Sequence, residues 1–409
     1  MKSESRSPKP KEFGRWLIDE LVLFLWWQRL QVRVQTSRWR VLLLALTMFV
    51  GVGARIWAQS LPGNWDFGQW VNTSSAVLNG QDPYALFGYN YPPPWLIAIT
   101  LFNAATSSDS TFRLLIALLL AAADVGIALI LARKGYWLAA CAFMLSPITI
   151  AISGQHQQVE SIALFFALAA VATMPVRSTT PGKGDWIAVV LLGVSLSFKP
   201  VFLLLPVWLA FRQPKWGMKA FYFALPLGIF SLAIASAFVV YPFEEVVGRV
   251  LGHSGANNSP FINAFVPHQL APWVLDHGGA KLVFLLILVG FGWLVRRRNP
   301  FELALIYSVT ALVFSWAVVN QYLATPVAAT AVFLNVGLLV WFVLSSIYLA
   351  GDPGVLGIPG VTTIQQNVLL EWTHVMQDLF PWVFLGWLIL AWQLRRPNGI
   401  FRPKEMRHS

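Results

Sequence analysis

Residues 57–112 read WAQSLPGNWDFGQWVNTSSAVLNGQDPYALFGYNYPPPWLIAITLFNAATSSDSTF and contain no lysine or arginine. The hydrophobic runs on either side are bounded by basic clusters, and cytoplasmic loops are the ones that collect Lys and Arg. A long loop without them, placed after a first span that follows a strongly basic N-terminus, is expected on the opposite face of a membrane. The topology of the whole chain follows from that contrast. Asp66, near the start of the loop, is expected at the external face, close to the bilayer.

Composition points the same way. Of 409 residues, 57% are hydrophobic and only 11% charged, with 20 Trp. A helical span takes about 20 mostly apolar residues, and the chain holds around ten such runs. The expected fold class is all-α, a polytopic transmembrane helix bundle of about 11–12 spans whose external loops carry short surface helices. The net charge of +11 sits largely at span ends such as Arg133-Lys134, Arg296-Arg297-Arg298 and Arg395-Arg396. Inside loops require cations there, so the partner they imply is the lipid bilayer and not nucleic acid. Cys141, the only cysteine, lies in an apolar run, so no disulfide forms within the chain.

The expected organisation has three parts. Residues 1–40 form a cytoplasmic tail, without a signal peptide's apolar core and cleavage site, and an interfacial amphipathic helix over Phe13–Val34, where Trp, Leu and Phe mix with charges in both flanks. Residues 41–395 form a single transmembrane domain with external loops at 59–110 and 242–279, and residues 396–409 a second cytoplasmic tail. Within the domain, the first span covers about Val41–Ala58, and Trp95–Ala105 is too short to cross and reads as a re-entrant or surface helix. Residues 186–211 are broken at Lys199-Pro200, and the basic stretch after them wants the inside, so a hairpin of two short helices with Lys199 at its outer tip is expected. Residues 322–350 fit one tilted span or a short hairpin turning near Asn335; the hairpin lets the last span end inside at Arg395-Arg396. No internal repeat is visible.

Motifs for several chemistries are absent. The sequence has no HExxH, no CxxC and no G-x-S-x-G, and Gly51-Val52-Gly53 lacks the third glycine and the preceding strand of a nucleotide loop. What remains is a set of polar residues converging on the outer face. Charged and amide side chains at membrane depth are expensive, so they are kept for a site or for one another. They are Asp66; the segment from Gly80-Gln81-Asp82-Pro83-Tyr84 to Tyr89-Asn90-Tyr91-Pro92-Pro93; Asp124; Gln155-His156-Gln157-Gln158 with Glu160; Lys199-Pro200; and Asn320-Gln321-Tyr322.

This order resembles the GT-C superfamily of integral membrane glycosyltransferases, and within it the polyprenyl-phosphate-mannose-dependent type, similar to bacterial mannosyltransferases and the mannosyl- and glucosyltransferases of GPI and N-glycan assembly. There an acidic residue follows the first span, a G-x-x-PY segment and a YPP run close the first external loop, a GQ or HxQ turn ends a later span, and a Lys follows in a broken helix. All occur here in order over residues 41–325. One departure is that GPI-type members often carry a His where this chain has Asn320-Gln321.

The resemblance implies inverting, single-displacement transfer of a hexose, mannose first, from a polyprenyl-phosphate-sugar donor to a glycolipid, glycan or protein acceptor. Arabinose, glucose or galactosamine fit the same residues. The setting implied is a multi-pass protein of a bacterial plasma membrane with its active site on the extracytoplasmic face, building cell-envelope glycan.

Transfer to an alcohol needs a base for the hydroxyl proton, and Asp66 is the candidate, against the reading of an ordinary solvated loop acid. A cation should stabilise the leaving phosphate. Lys199 is one candidate, unless it only snorkels, and Arg249 in the second external loop is another. Gln155 and His156 are candidates for sugar or phosphate, unless the amides only cap the following helix. Asn320 and Gln321 are candidate substrate contacts. Tyr84 and Tyr91, with Trp65, Trp70 and Tyr89, suit either sugar stacking or interfacial anchoring, and anchoring is the commoner use. Glu160 reads as a structural first-turn carboxylate, Asp82 as turn chemistry, and Asp124 as a buried group in need of a partner.

No cofactor is expected. A divalent metal stays open only in the loop carrying His253, Asn257, Asn258, His268, Asp276 and His277, where no ligand spacing stands out. Two other classes compete. A transporter or flippase for a lipid-linked sugar would use the same residues as a path, but a path should reach both faces, and the polar residues gather on one. A non-catalytic scaffold would tolerate Asp66→Asn without effect.

Overall fold

The computed structural model describes residues 10–86, 88–175, 179–250, 252, 259–276, 278–368 and 375–395. Among them every regular element is a helix. In chain order, α1 (Pro10–Thr36) is followed by α2 (Arg40–Ser60), α3 (Trp65–Leu78), α4 (Pro93–Ala104), α5 (Asp109–Arg133), α6 (Trp137–Met144) and α7 (Pro147–Ile150). A π-helical turn, Ala151–His156, leads into α8 (Glu160–Thr173), α9 (Lys183–Phe198), α10 (Leu205–Arg212) and α11 (Trp216–Ala237). Short helices α12 (Phe243–Val250), α13 (Pro260–Phe265) and α14 (Ala271–Asp276) precede α15 (Gly279–Val295) and α16 (Pro300–Phe314). The chain closes with α17 (Val327–Val332), α18 (Val336–Gly351), α19 (Pro359–Val368) and α20 (Val375–Arg395). Both tails beyond α1 and α20, and His253, Asn257, Asn258 and His277, lie outside the described residues.

Three described helices, α2, α5 and α11, are long and apolar enough to cross a membrane, and the pair Trp137–Met144 and Pro147–His156, bent by 48°, makes a fourth if taken as one. That is fewer than the about eleven or twelve spans expected from apolar runs. The physical reason is that α4, α8, α15, α16 and α18 are apolar but only 10–17 residues long, cut by Pro or by polar residues. Helix α2 shows how such helices pack. Leu44, Thr47, Gly51, Arg55 and Ala58 form a buried seam at three- and four-residue spacing, while Phe49, Val50 and Leu46 on the outer face are exposed. A helix in water keeps that outer face polar; here it is apolar too.

The bundle has two chemically different ends. At one, Arg212 donates to the Arg298 carbonyl at 3.0 Å, Arg298 donates to the Leu394 carbonyl, and Lys134 donates to the Ala172 carbonyl at 3.0 Å. Beside them Tyr136 stacks on Phe301. The basic clusters of the sequence therefore meet in space. Helix α1 joins near this end, its Trp27 indole donating to the Ala331 carbonyl at 2.8 Å and its Gln28 amide to the Val332 carbonyl at 3.2 Å. Toward the far end of α5, about 30 Å away along its axis, Arg113 donates to the Leu61 carbonyl at 2.6 Å and accepts on its own carbonyl from Gln157 at 2.8 Å.

The chain reverses at both expected points, although α9 and α10 pack on α11 more than on each other. Tyr222 donates to Asp185 in the first turn of α9 and lies within electrostatic reach of Arg212 in the last turn of α10. The two helices thus begin and end at the basic end and put Lys199 at the opposite tip. Asn335 breaks the 322–350 stretch, capping α18 by accepting from the Leu338 amide at 3.0 Å and donating to the Gly386 carbonyl at 3.1 Å. Tyr322 before it and Gly354 after it both return to the polar end, against Lys199 and Gln155 respectively.

Candidate functional site

The site begins with a helix cap. Asn64 is extended at the start of α3 and its side-chain oxygen accepts from the Phe67 amide at 3.0 Å, the usual N-cap arrangement. Asp66 is thereby fixed in the first turn, where a carboxylate is favoured by the helix dipole. Its Oδ2 lies 3.4 Å from His156 Nδ1, with 22% of the aspartate side chain exposed and 10% of the histidine's. The two residues are 90 positions apart in sequence.

His156 ends the π-helical turn, and the turn is held from all sides. A Cβ on Gly154 would meet the Ala58 Cβ at 2.8 Å and the Arg55 carbonyl at 2.9 Å, so the chain passes against α2 at a point only glycine fits. Gln157 then takes left-handed backbone (φ 57°), and its carbonyl accepts from the Trp70 indole at 3.2 Å. Gln155 donates to the Pro62 and Gly354 carbonyls at 3.0 and 3.1 Å and accepts from Asn64 at 3.4 Å. The amides do not cap the next helix, the alternative the sequence left open: α8 has no side-chain cap. They tie three loops together.

Beneath the turn is a fully buried pair that sequence reading missed. Arg55 Nε meets Asp124 Oδ2 at 2.7 Å, both side chains being inaccessible. The guanidinium also donates to the Gly51 and Met144 carbonyls and to Thr149, at 2.8–2.9 Å. Ser153, inside the turn, donates to the same Asp124 oxygen at 2.6 Å. Asp124 thus has the partner its burial required, and the signal was available. Arg55 and Asp124 are opposite charges inside two apolar runs, and intramembrane charges pair.

Lys199 stands at the break between α9 and α10. The following Pro200 disfavours helical backbone at Lys199, which is extended at φ −156°, ψ 125°. Its ammonium is ion-paired with Glu160, donates to the Tyr91 hydroxyl at 3.3 Å, and lies 5.0 and 5.1 Å from the ring centres of Tyr91 and Tyr322. Tyr91 in turn donates to Gln158 at 2.7 Å. Glu160 lies in the first turn of α8, as its sequence position implies, and is also the counter-ion of Lys199. Burial, foremost, and the nearby Glu160 and Asp66 carboxylates push the Tyr91 phenol far above its ordinary range, against the opposing pull of Lys199. The phenol stays protonated and acts as a donor.

Lys199 and Tyr91 open on a cavity of about 240 Å³. Asn90, Tyr322 and Thr325 supply further polar lining, and Leu204, Val250, Phe284, Leu285, Leu312 and Trp316 make most of the rest apolar. Asp66 and His156 are not in the lining; they stand beside it, across Tyr91, whose phenol feels the Asp66 charge. Asn320 is buried in the 3₁₀ turn that carries Tyr322, but neither Asn320 nor Gln321 lines the cavity.

The remaining candidates are positioned by the external loops. Arg249 of α12 donates to the Tyr84 carbonyl at 3.0 Å, so it clasps the first loop and does not line the cavity, although its neighbour Val250 does. Tyr84 is buried, and burial, then Tyr241 and Asp82, raises its phenol well above the ordinary value. Asp82 accepts from the Tyr84 amide at 2.8 Å, the expected Asx turn. The anchoring expectation for the aromatics fails for most of them. Trp70, Tyr84, Tyr89 and Tyr91 are buried and pack ring on ring, with Trp70 and Tyr91 centred 5.0 Å apart; only Trp65 is largely exposed. They form the wall that carries Tyr91 to Lys199. Among the described residues no group of three or more His, Cys, Asp or Glu side chains gathers to hold a metal.

Chemically, the arrangement offers a part-exposed carboxylate backed by an imidazole on one side of Tyr91, and on the other a buried cation lining a largely apolar cavity. No protein-family model matches the chain, and no curated protein shows significant similarity to it.

Proposed function

We propose that this chain is a multi-pass membrane glycosyltransferase that moves a sugar, mannose first, from a polyprenyl-phosphate donor to an acceptor hydroxyl at the extracytoplasmic face. In this reading the shorter apolar helices complete a bundle of about eleven or twelve crossings, and the basic end faces the cytoplasm. The observation that carries it is the meeting of Asp66, His156, Tyr91 and Lys199 at the end opposite the basic clusters, beside a largely apolar cavity.

The residues divide the chemistry. Asp66 takes the acceptor hydroxyl proton as the oxygen attacks the anomeric carbon, and the bond from that carbon to the phosphate oxygen breaks on the opposite face, inverting the centre. His156 holds one Asp66 oxygen and leaves the other for the acceptor. Lys199 meets the charge on the departing lipid phosphate, while Phe284, Leu285 and Trp316 receive the prenyl chain. The polar residues gather at one end, which favours this reaction over a translocation path for a lipid-linked sugar.

The test is transfer from radiolabelled polyprenyl-phosphate sugars by the purified protein in proteoliposomes. Wild type should form product with at least one donor, and Asp66→Asn should lose it while folding normally. Unchanged product from the variant overturns the assignment of Asp66. Movement of the donor between leaflets without transfer would replace the enzyme by a carrier.

A further inference from the structure

We infer that Glu160 is a built-in competitor for the lipid phosphate at Lys199, keeping the cation from trapping the product; this role rests on the proposed donor. The geometry is that of a cation already provided for. An ammonium has three donors. One goes to Glu160, a second to the Tyr91 hydroxyl at 3.3 Å, and the two tyrosine rings flank the charge at 5.0 and 5.1 Å. The third donor is left for a group in the cavity, which Lys199 lines and Glu160 does not. Glu160 keeps its other oxygen, Oε2, buried and without a partner, so its carboxylate is committed to Lys199 alone.

Charge arithmetic gives the consequence. The sugar donor is a phosphodiester with one negative charge, whereas the lipid phosphate left after transfer is a monoester approaching two at neutral pH, its second ionisation lying at about 6. A lone buried cation would therefore hold product more tightly than substrate and slow turnover. A carboxylate in contact with the cation offsets both ligands but costs the more highly charged product more. Glu160 thus favours release, and Lys199 still has one donor with which to orient the donor phosphate.

Removing one member of a buried pair leaves the other charge uncompensated, and a bound phosphate should then restore the balance. Binding of undecaprenyl phosphate to the full chain in nanodiscs is compared between wild type and Glu160→Gln, with undecaprenol as the uncharged control. The variant should bind the phosphate at least about tenfold more tightly, gain more thermal stability from it than wild type does, and bind undecaprenol unchanged. Under turnover it should be inhibited at correspondingly lower concentrations of added lipid phosphate. Should Glu160→Gln not fold, Glu160→Asp, which draws the carboxylate back from Lys199, should give a smaller tightening in the same direction. Equal or weaker phosphate binding by a folded variant overturns the competitor role while leaving the donor reading standing. Failure of wild type and variant alike to bind the phosphate overturns both.

Discussion

At the residue scale, the site rests on two contacts of different kinds. His156 touches Asp66 through one nitrogen, so its removal should disturb the carboxylate and not the lipid. His156→Gln is expected to lower kcat by about tenfold to a hundredfold with little change in KM for the donor, measured by steady-state transfer; a rise in KM at constant kcat would move His156 to donor binding. The Arg55–Asp124 pair lies beyond the reach of solvent. Losing one partner should cost about 3–5 kcal/mol, while replacing both by apolar residues, as in Arg55→Met with Asp124→Leu, should recover much of that, read as unfolding midpoints in detergent. Equal costs for single and double variants would deny the coupling. Asp66 was legible from the sequence because a loop empty of Lys and Arg drew attention to its acid. That the Gln155–Gln158 turn shares its face was legible too, but not that His156 is the residue in contact, because the packing of the turn on α2 decides which side chain reaches Asp66.

At the scale of elements, legibility followed local chemistry. Pro200 after Lys199 announced the break between α9 and α10, and Asn335 announced the turn before α18, because both effects act within a few residues of chain. The π-helical turn carried no such signal. It exists because Gly154 lets the chain lie against Arg55 and Ala58, and because Ser153, Gln155 and Gln157 each find partners far away in sequence. Gly154→Ala should therefore cost about 1–3 kcal/mol of stability and displace His156, lowering transfer more than donor binding. A variant with wild-type melting and wild-type transfer would show that the turn tolerates the extra methyl and sets nothing. Burial of the loop aromatics was equally hidden: composition alone favours anchoring at the interface, and only packing turns them inward, Tyr84 under the Arg249 clasp and Tyr89 and Tyr91 against Trp70.

For the whole molecule, the separation of a basic end from a polar end is the feature that sequence and structure share most fully. Positive charge at span ends implies that the basic clusters gather at one end, and Arg212, Arg298 and Lys134 do come together in space while Asp66 and Lys199 stand at the other end. Cys141 is buried, so single cysteines introduced on the surface should report orientation. Ser107→Cys, beside the polar end, should react with an impermeant maleimide added outside intact cells, and Lys215→Cys, beside the basic end, only after permeabilisation. The reverse pattern would put Asp66 in the cytosol.

The central claim, that the Asp66 carboxylate performs the proton transfer in a glycosyl transfer, is tested most directly by single-turnover kinetics with donor already bound. Wild type and Asp66→Asn should bind the labelled donor alike, and the variant should transfer it at least about a hundredfold more slowly. Transfer at the wild-type rate from an equally occupied Asp66→Asn site would contradict the claim.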